Sequence, residues 1–189
     1  WKPQNYGKKF YGPSTLRKGI ENSRNLMTIR IAQYLGMDRI TELADRANIM
    51  SNMPPVLSMA LGAGETSLIK LTSAYASLAN GGKKVEASLI DRIQDRRGKN
   101  IFILDHATCE NCNLPYIEDK PKPKIIDKSE IIFDEVNAYQ MVSILKGAVD
   151  RGTGRKTRIE GIEIAGKTGT TNNNTAVSYT HLRAHETLL

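Results

Sequence analysis

Between residues 135 and 170 the hydrophobic period of the chain switches from that of a helix to that of strands, and this switch narrows the fold more than any other feature. Val136, Tyr139, Met141, Val142, Leu145 and Val149 recur at helical spacing, which predicts an amphipathic helix. Gly152 and Gly154 then break it, and residues 156–170 read as two short strands turning at Glu160 and Gly161. A helix running into short strands, with no internal repeat anywhere in the chain, points to an α+β fold.

The remaining periodicities agree with that class. Pro13, Ser14 and Thr15 stand as turn or cap residues ahead of Leu16, Ile20, Met27, Ile31 and Leu35, spaced by four or seven. This predicts two helices meeting at residues 22–25, because Asn and Ser compete for backbone hydrogen bonds and favour caps and turns. A further helix is expected over 38–47, with Gly36 stopping the one before it. Pro54 and Pro55 punctuate the chain before a short apolar run at 56–61 that reads as a strand. Thr66 is the expected cap of a helix carrying Leu68, Leu71, Ala74, Tyr75 and Leu78, ended by Asn80, Gly81 and Gly82. Residues 84–94 and 100–104 flank a turn-rich segment and form a predicted hairpin. From 105 to 127 the chain turns polar and proline-bearing, which is assigned to a surface excursion and not to a second domain.

Composition matters for what it excludes. With 189 residues, 40% hydrophobic and 25% charged, the chain can bury a core and disorder is not expected. No apolar stretch reaches the roughly 20 residues that cross a bilayer, and the first residues lack a signal-peptide pattern, so any membrane anchor is expected outside this chain, which reads as a fragment. Charge is uneven: of a net +7, residues 1–30 hold Lys2, Lys8, Lys9, Arg17, Lys18, Arg24 and Arg30 against Glu21. Trp1, Tyr6, Phe10 and Tyr11 interleave with that patch but match no nucleic-acid recognition module, so a solvated basic rim is the preferred reading and no nucleic acid is expected. His106, Cys109 and Cys112 put three candidate ligands within seven residues, short of the four a structural zinc site takes, so no metal is assigned. In an oxidising compartment a local disulfide closing a surface loop is the preferred reading of these cysteines, with a pair of idle thiols as the alternative.

The chemistry concentrates at Lys167, Thr168 and Gly169, followed by Thr170 and Thr171 and preceded by the strand-like run 162–166. A cation and hydroxyls on a strand edge suit the grip of a substrate carboxylate beside an acyl-transfer centre, and a glycine lets the substrate approach the backbone. Upstream stands Ser23, Arg24, Asn25. Lys-Thr-Gly and Ser-x-Asn are two of the three signatures of penicillin-binding proteins and serine β-lactamases, here in that family's order.

More of the chain carries the resemblance. Trp1–Tyr6, then Gly12, Pro13, Ser14, Thr15, Leu16 and Arg17, resemble the transpeptidase domain of class A, bifunctional penicillin-binding proteins. So do Leu61 and Gly62, leading through Glu65 and Thr66 to the run Ala74, Tyr75, Ala76, Ser77, Leu78, Ala79, Asn80, Gly81, Gly82, and the block Arg151, Gly152, Thr153, Gly154. The resemblance covers most of residues 1–175. It implies a transpeptidase-like antiparallel sheet with helices, incomplete here for want of the nucleophile helix and the C-terminal strands.

For function, the resemblance implies a D,D-transpeptidase at the outer face of the inner membrane, in the periplasm. It would cross-link peptidoglycan stem peptides ending in D-Ala-D-Ala through a serine ester, bind β-lactams and need no cofactor. Ser23 would relay a proton between nucleophile and leaving nitrogen, in contact with Lys167, and Asn25 would bind the substrate amide and orient the catalytic lysine. Thr168, Gly169 and Thr170 would hold the terminal carboxylate, with the Thr170 N–H in the oxyanion hole. The nucleophile's Ser-x-x-Lys is matched at Ser67–Lys70 and Ser143–Lys146, but both follow the Ser23 triplet, whereas the family's nucleophile precedes it. Each also has an ordinary helical explanation, so no nucleophile is assigned in this chain and it is expected before Trp1. Residues 176–189 depart from the family and resemble translated adaptor sequence, so His181 and His185 are given no metal role. Two alternatives stand beside the transpeptidase: a catalytically dead wall-binding module, and a carboxypeptidase- or β-lactamase-like hydrolase.

Overall fold

The computed structural model describes residues 1–104, 107–110, 112 and 123–169, together with the backbone of 180–183. In chain order these hold helices α1 (Leu16–Glu21), α2 (Asn25–Leu35), α3 (Met37–Arg46), α4 (Leu68–Ala79) and α5 (Glu135–Asp150), and strands β1 (Arg92–Gln94), β2 (Asn100–Ile103), β3 (Ala107–Glu110), β4 (Lys124–Asp127), β5 (Ile164–Lys167) and β6 (Thr180–Arg183). Two compact units result: one joins Trp1–Val85 to Ile132–Leu189, the other is Glu86–Ile131. Helices plus antiparallel strand pairs make the α+β fold that the periodicities predict.

The first unit is organised around α5. Asp134 caps it by accepting from the N–H groups of Val136 and Asn137 at 3.0 and 3.1 Å, satisfying donors that a helix start leaves free. Its inner face buries Ala138, Ile144, Leu145, Ala148 and Val149, and it packs along β5, whose Ile164 and Ala165 are buried too. β6 lies antiparallel to β5, with Lys167 opposite Thr180 and Ile164 opposite Arg183. The backbone of 180–183 is thus the described part of the 176–189 segment.

A second packing point joins the end of α4 to the entry of α5. The carbonyl of Gly82 accepts from Ile132 N and Phe133 N at 2.9 and 3.1 Å, and a Cβ on Gly82 would stand 2.0 Å from the Phe133 carbonyl oxygen. With φ of +89°, this position requires glycine on both counts. Ile132 then joins Ala47 and Ala74 in a buried cluster flanked by Ile49 and Phe133.

The junction at 22–25, the helix over 38–47 and the stop at Gly36 appear as expected. Three local expectations are corrected. Residues 56–61 are not a strand: Leu57–Leu61 is a short 3-10 helix ended by Gly62 at φ +81°, a form that satisfies a short apolar run's backbone locally. The cap of α4 is Ser67, whose Oγ accepts from Lys70 N, while the Thr66 hydroxyl donates to the Ile49 carbonyl. Of the two strands expected over 156–170, the first is a 3-10 turn at Arg155–Thr157 and an isolated bridge between Ile159 and Ile162 around Gly161.

The second unit consists of two hairpins. β1 and β2 pair antiparallel about a turn in which Asp95 Oδ1 accepts from Arg97 N and Lys99 N at 2.8 and 2.9 Å. The first arm is shorter than the predicted 84–94, with its register shifting between Ile93 and Gln94. The 105–127 excursion falls in this unit and contributes β3 and β4, which the sequence reading did not foresee; they pair Ala107 with Asp127 and Glu110 with Lys124. Thr108, Ile125 and Ile126 supply the β-branched residues that favour strand over loop. Cys109 and Cys112 are disulfide-linked. Among the described residues no helix is long and apolar enough to cross a membrane.

Candidate functional site

The site starts from a strained turn. After α1, Ser23 takes φ of +53°, a left-handed conformation that costs a non-glycine residue roughly 1–2 kcal/mol. Backbone bonds on both sides hold it there: Ser23 N donates to the Ile20 carbonyl at 3.1 Å and Arg24 N to the Gly19 carbonyl at 2.9 Å. Ser23 is exposed in this turn.

The end of α1 is clamped to the end of α5. Glu21 is 3% exposed, and its carboxylate accepts from Arg151 Nε at 3.0 Å while Arg151 Nη2 binds the other oxygen. Arg17 approaches the same carboxylate at 3.5 Å from one turn back on α1. A buried carboxylate is tolerable only when so paired. The backbone is tied as well: Thr153 N donates to the Glu21 carbonyl at 3.1 Å, and Gly154 N to the Ala148 carbonyl at 2.9 Å. A Cβ on Gly152 would lie 2.2 Å from the Glu21 carbonyl oxygen, so glycine is what allows the two segments to close.

The clamp sets Ser23 opposite the end of β5. Lys167 Nζ donates to Ser23 Oγ at 2.9 Å, to the Thr168 carbonyl at 2.9 Å and, more weakly, to Thr168 Oγ1 at 3.4 Å. Burial lowers the Lys167 pKa from its ordinary value, because desolvation penalises the ammonium. Thr168 Oγ1 lies 2.7 Å from Thr153 Oγ1, closing a polar row from Ser23 through Lys167 and Thr168 to Thr153. Gly169 is exposed, with nothing within 4 Å of where a Cβ would stand, so internal packing does not demand a glycine there.

Of the residues singled out in the sequence, the structure therefore brings together Ser23, Lys167 and Thr168, with Gly169 adjoining. Asn25 opens α2, and its amide donates to the Gln4 carbonyl at 2.9 Å. Thr170 and His106 lie outside the described residues, as do the side chains of His181 and His185. Thr153 was missed as a site residue, although it sits in the Arg-Gly-Thr-Gly block noted for its glycines. Both serines of the Ser-x-x-Lys matches are occupied structurally: Ser67 caps α4, and Ser143 receives Arg17 Nη2 on its hydroxyl and Nη1 on its carbonyl, each at 3.2 Å. Among the described residues no cluster of three metal-ligating side chains converges.

Chemically, the row offers a cation of lowered pKa bonded to a hydroxyl that can pass a proton, with further hydroxyls at a strand end where an anion can be held. Comparison with known proteins agrees. Residues 1–185 match the model of the penicillin binding protein transpeptidase domain. The chain is 44% identical over 174 residues to penicillin-binding protein 1A of Rickettsia typhi, covering 91% of this chain and 22% of that protein. It is 36% identical over 176 residues to penicillin-binding protein 1A of Neisseria flavescens, covering 92% of this chain and 20% of the relative. This chain thus spans about a fifth of the length of these curated relatives. Among solved structures, penicillin-binding protein 1A of Haemophilus influenzae superposes with a TM-score of 0.71 at 31% identity, over 91% of this chain and 28% of that one. The D,D-transpeptidase domain of a peptidoglycan glycosyltransferase from Eggerthella lenta shares the fold, with a TM-score of 0.62 at 19% identity, over 92% and 45% of the two chains.

Proposed function

The chain belongs to the penicillin-binding protein transpeptidase family, and from this premise we propose that it supplies one wall of a serine acyl-transfer site that cross-links peptidoglycan stem peptides in the periplasm. The observation that carries the proposal is the 2.9 Å contact between Lys167 Nζ and Ser23 Oγ, made by residues 144 positions apart. A contact so distant in sequence is built by the clamp between α1 and α5, and it supports the reading of Ser23 and Lys167 as a proton relay beside a carboxylate grip at Thr168.

In the proposed reaction a serine from outside residues 1–189 attacks the carbonyl joining two terminal D-Ala residues. Its proton passes through Ser23 to the leaving amine, and Lys167 stabilises the relay by donating to Ser23 Oγ. The terminal carboxylate is held by Thr168 with Thr170, over the open face of Gly169, and the Thr170 N–H supports the oxyanion. Asn25 takes the substrate amide with its Oδ1 and second N–H, which its bond to the Gln4 carbonyl does not use. The acyl-serine ester is then opened by the amine of a second stem peptide; a β-lactam, which mimics the terminal dipeptide, forms the same ester and stays. No cofactor enters this scheme. The relatives' shared name as penicillin-binding proteins 1A supports a transpeptidase over a hydrolase or a wall-binding module.

Labelled penicillin tests the assignment. The full-length protein carrying this sequence should form a covalent adduct, seen by intact mass, and residues 1–189 alone should form none. An adduct on residues 1–189 that disappears on Ser67→Ala or Ser143→Ala would overturn the placement of the nucleophile, and a full-length protein that forms none would overturn the acyl-transfer reading.

A further inference from the structure

Thr153 stands where the mechanism above has no use for it, yet it is held as firmly as any residue of the site. Its N–H is committed to the Glu21 carbonyl at 3.1 Å, its neighbour Gly152 is pressed against that same carbonyl, and Gly154 N is committed to Ala148. Three backbone constraints from two helices thus aim one short side chain, and its Oγ1 meets Thr168 Oγ1 at 2.7 Å.

The chemistry of that pair is directional. A hydroxyl has one proton to give and two lone pairs to receive with. Lys167 Nζ, an obligate donor while protonated, already points at Thr168 Oγ1 from 3.4 Å. If Thr153 also donates, both lone pairs of Thr168 are engaged from behind, and its own proton has to point outward, toward open space at the strand end. If Thr153 accepts, Thr168 spends its proton inside the protein and has none for a ligand. A second donor would also polarise the Thr168 hydroxyl and make it a better donor in turn.

We infer that Thr153 is a positioning residue that donates to Thr168 and so turns the Thr168 hydroxyl outward to receive a substrate carboxylate. This rests on the acyl-transfer reading and deepens it: selectivity for ligands with a free terminal carboxylate is set in part by the Thr153 hydroxyl acting through Thr168. A neutral ester or amide in the carboxylate's place gains much less from an outward, polarised hydroxyl, because hydrogen bonds to charged groups are stronger than neutral ones.

The test uses the full-length protein and two acylating ligands, a penicillin with its free carboxylate and the methyl ester of the same penicillin. Thr153→Val and Thr153→Ala should each lower the acylation rate constant for the carboxylate about tenfold, the size expected for one charge-assisted hydrogen bond, and change the ester's by less than about twofold. Thr153→Ser keeps the hydroxyl and should restore the wild-type ratio. Equal losses on both ligands, no loss on either, or a Thr153→Ser as impaired as Thr153→Ala would overturn the role of Thr153 while leaving the acyl-transfer reading intact. A wild-type protein acylated by neither ligand would overturn both. The alanine variant adds no bulk, so failure of the valine variant to fold leaves the comparison in place.

Discussion

The two compact units solve the problem of holding a loop in place by opposite means. In Glu86–Ile131, β1 pairs with β2 and β3 with β4, the Asp95 side chain shapes a turn, and the Cys109–Cys112 disulfide joins cysteines three positions apart. These links join residues at most 20 positions apart. In the other unit Ser23 is fixed through its neighbour Glu21, which meets Arg151, Gly152 and Thr153, and directly by Lys167, all four from the far end of the chain. The strands of the hairpin unit are largely exposed, while α5 and β5 carry much of the buried apolar surface. Local links fix the shape of a loop cheaply; long-range ones are needed where two side chains must meet to within a few tenths of an ångström. The proposed chemistry rests on the long-range contacts of the first unit.

The sharpest way to break the comparison is at the meeting point. Lys167→Ala and Ser23→Ala in the full-length protein should each slow acylation by penicillin by about 10²- to 10⁴-fold, the usual cost of removing a positioned proton-transfer or charge-stabilising group. If either were neutral in stopped-flow acylation, the long-range contact would be structural. Next come the clamp residues. Arg151→Ala leaves the Glu21 carboxylate short of its main partner, and Gly152→Ala drives a methyl into the Glu21 carbonyl. Each is expected to cost about 1–3 kcal/mol in urea unfolding and to slow acylation as well, because Ser23 follows the end of α1.

The hairpin unit should respond differently. Cys109→Ser or Cys112→Ser removes a very short loop closure, worth about 2 kcal/mol or less, and should leave penicillin acylation unchanged. Loss of acylation in either variant would erase the division of labour between the units. The smallest effect concerns pH. Burial puts the folded Lys167 pKa below its ordinary 10.5. The folded state therefore binds fewer protons than the unfolded one between these two values, so the cost of burying the lysine is absent above 10.5, grows as the pH falls through that window, and is constant below it. Relative to the parent, Lys167→Met should gain stability as pH is lowered through the window, seen by comparing urea midpoints on either side of it.

How much of this was legible beforehand follows the same division. The period of Val136 to Val149 marked α5, and Asn22 to Asn25 marked the break between α1 and α2, because these are properties of neighbouring residues. The run at 56–61 misled, since four to six apolar residues suit a strand or a tight helical turn equally and a strand needs a partner that sequence does not reveal. β3 and β4 were hidden by the polar, proline-bearing text around them. Thr153 stands in the block 151–154 that carries part of the resemblance, yet no spacing there pairs its hydroxyl with that of Thr168, fifteen residues away.

By itself the sequence determined the family, through Lys167-Thr168-Gly169, Ser23-Arg24-Asn25 and the blocks around them, together with the helices whose period is written locally. Tertiary structure alone decided that Ser23 and Lys167 touch, that Asn25 rests on Gln4, and that the hydroxyls of Thr153 and Thr168 meet. The reason is physical. Local spacing controls backbone conformation, whereas contact between side chains far apart in the chain depends on how a buried carboxylate, two arginines and a glycine let two helix ends close.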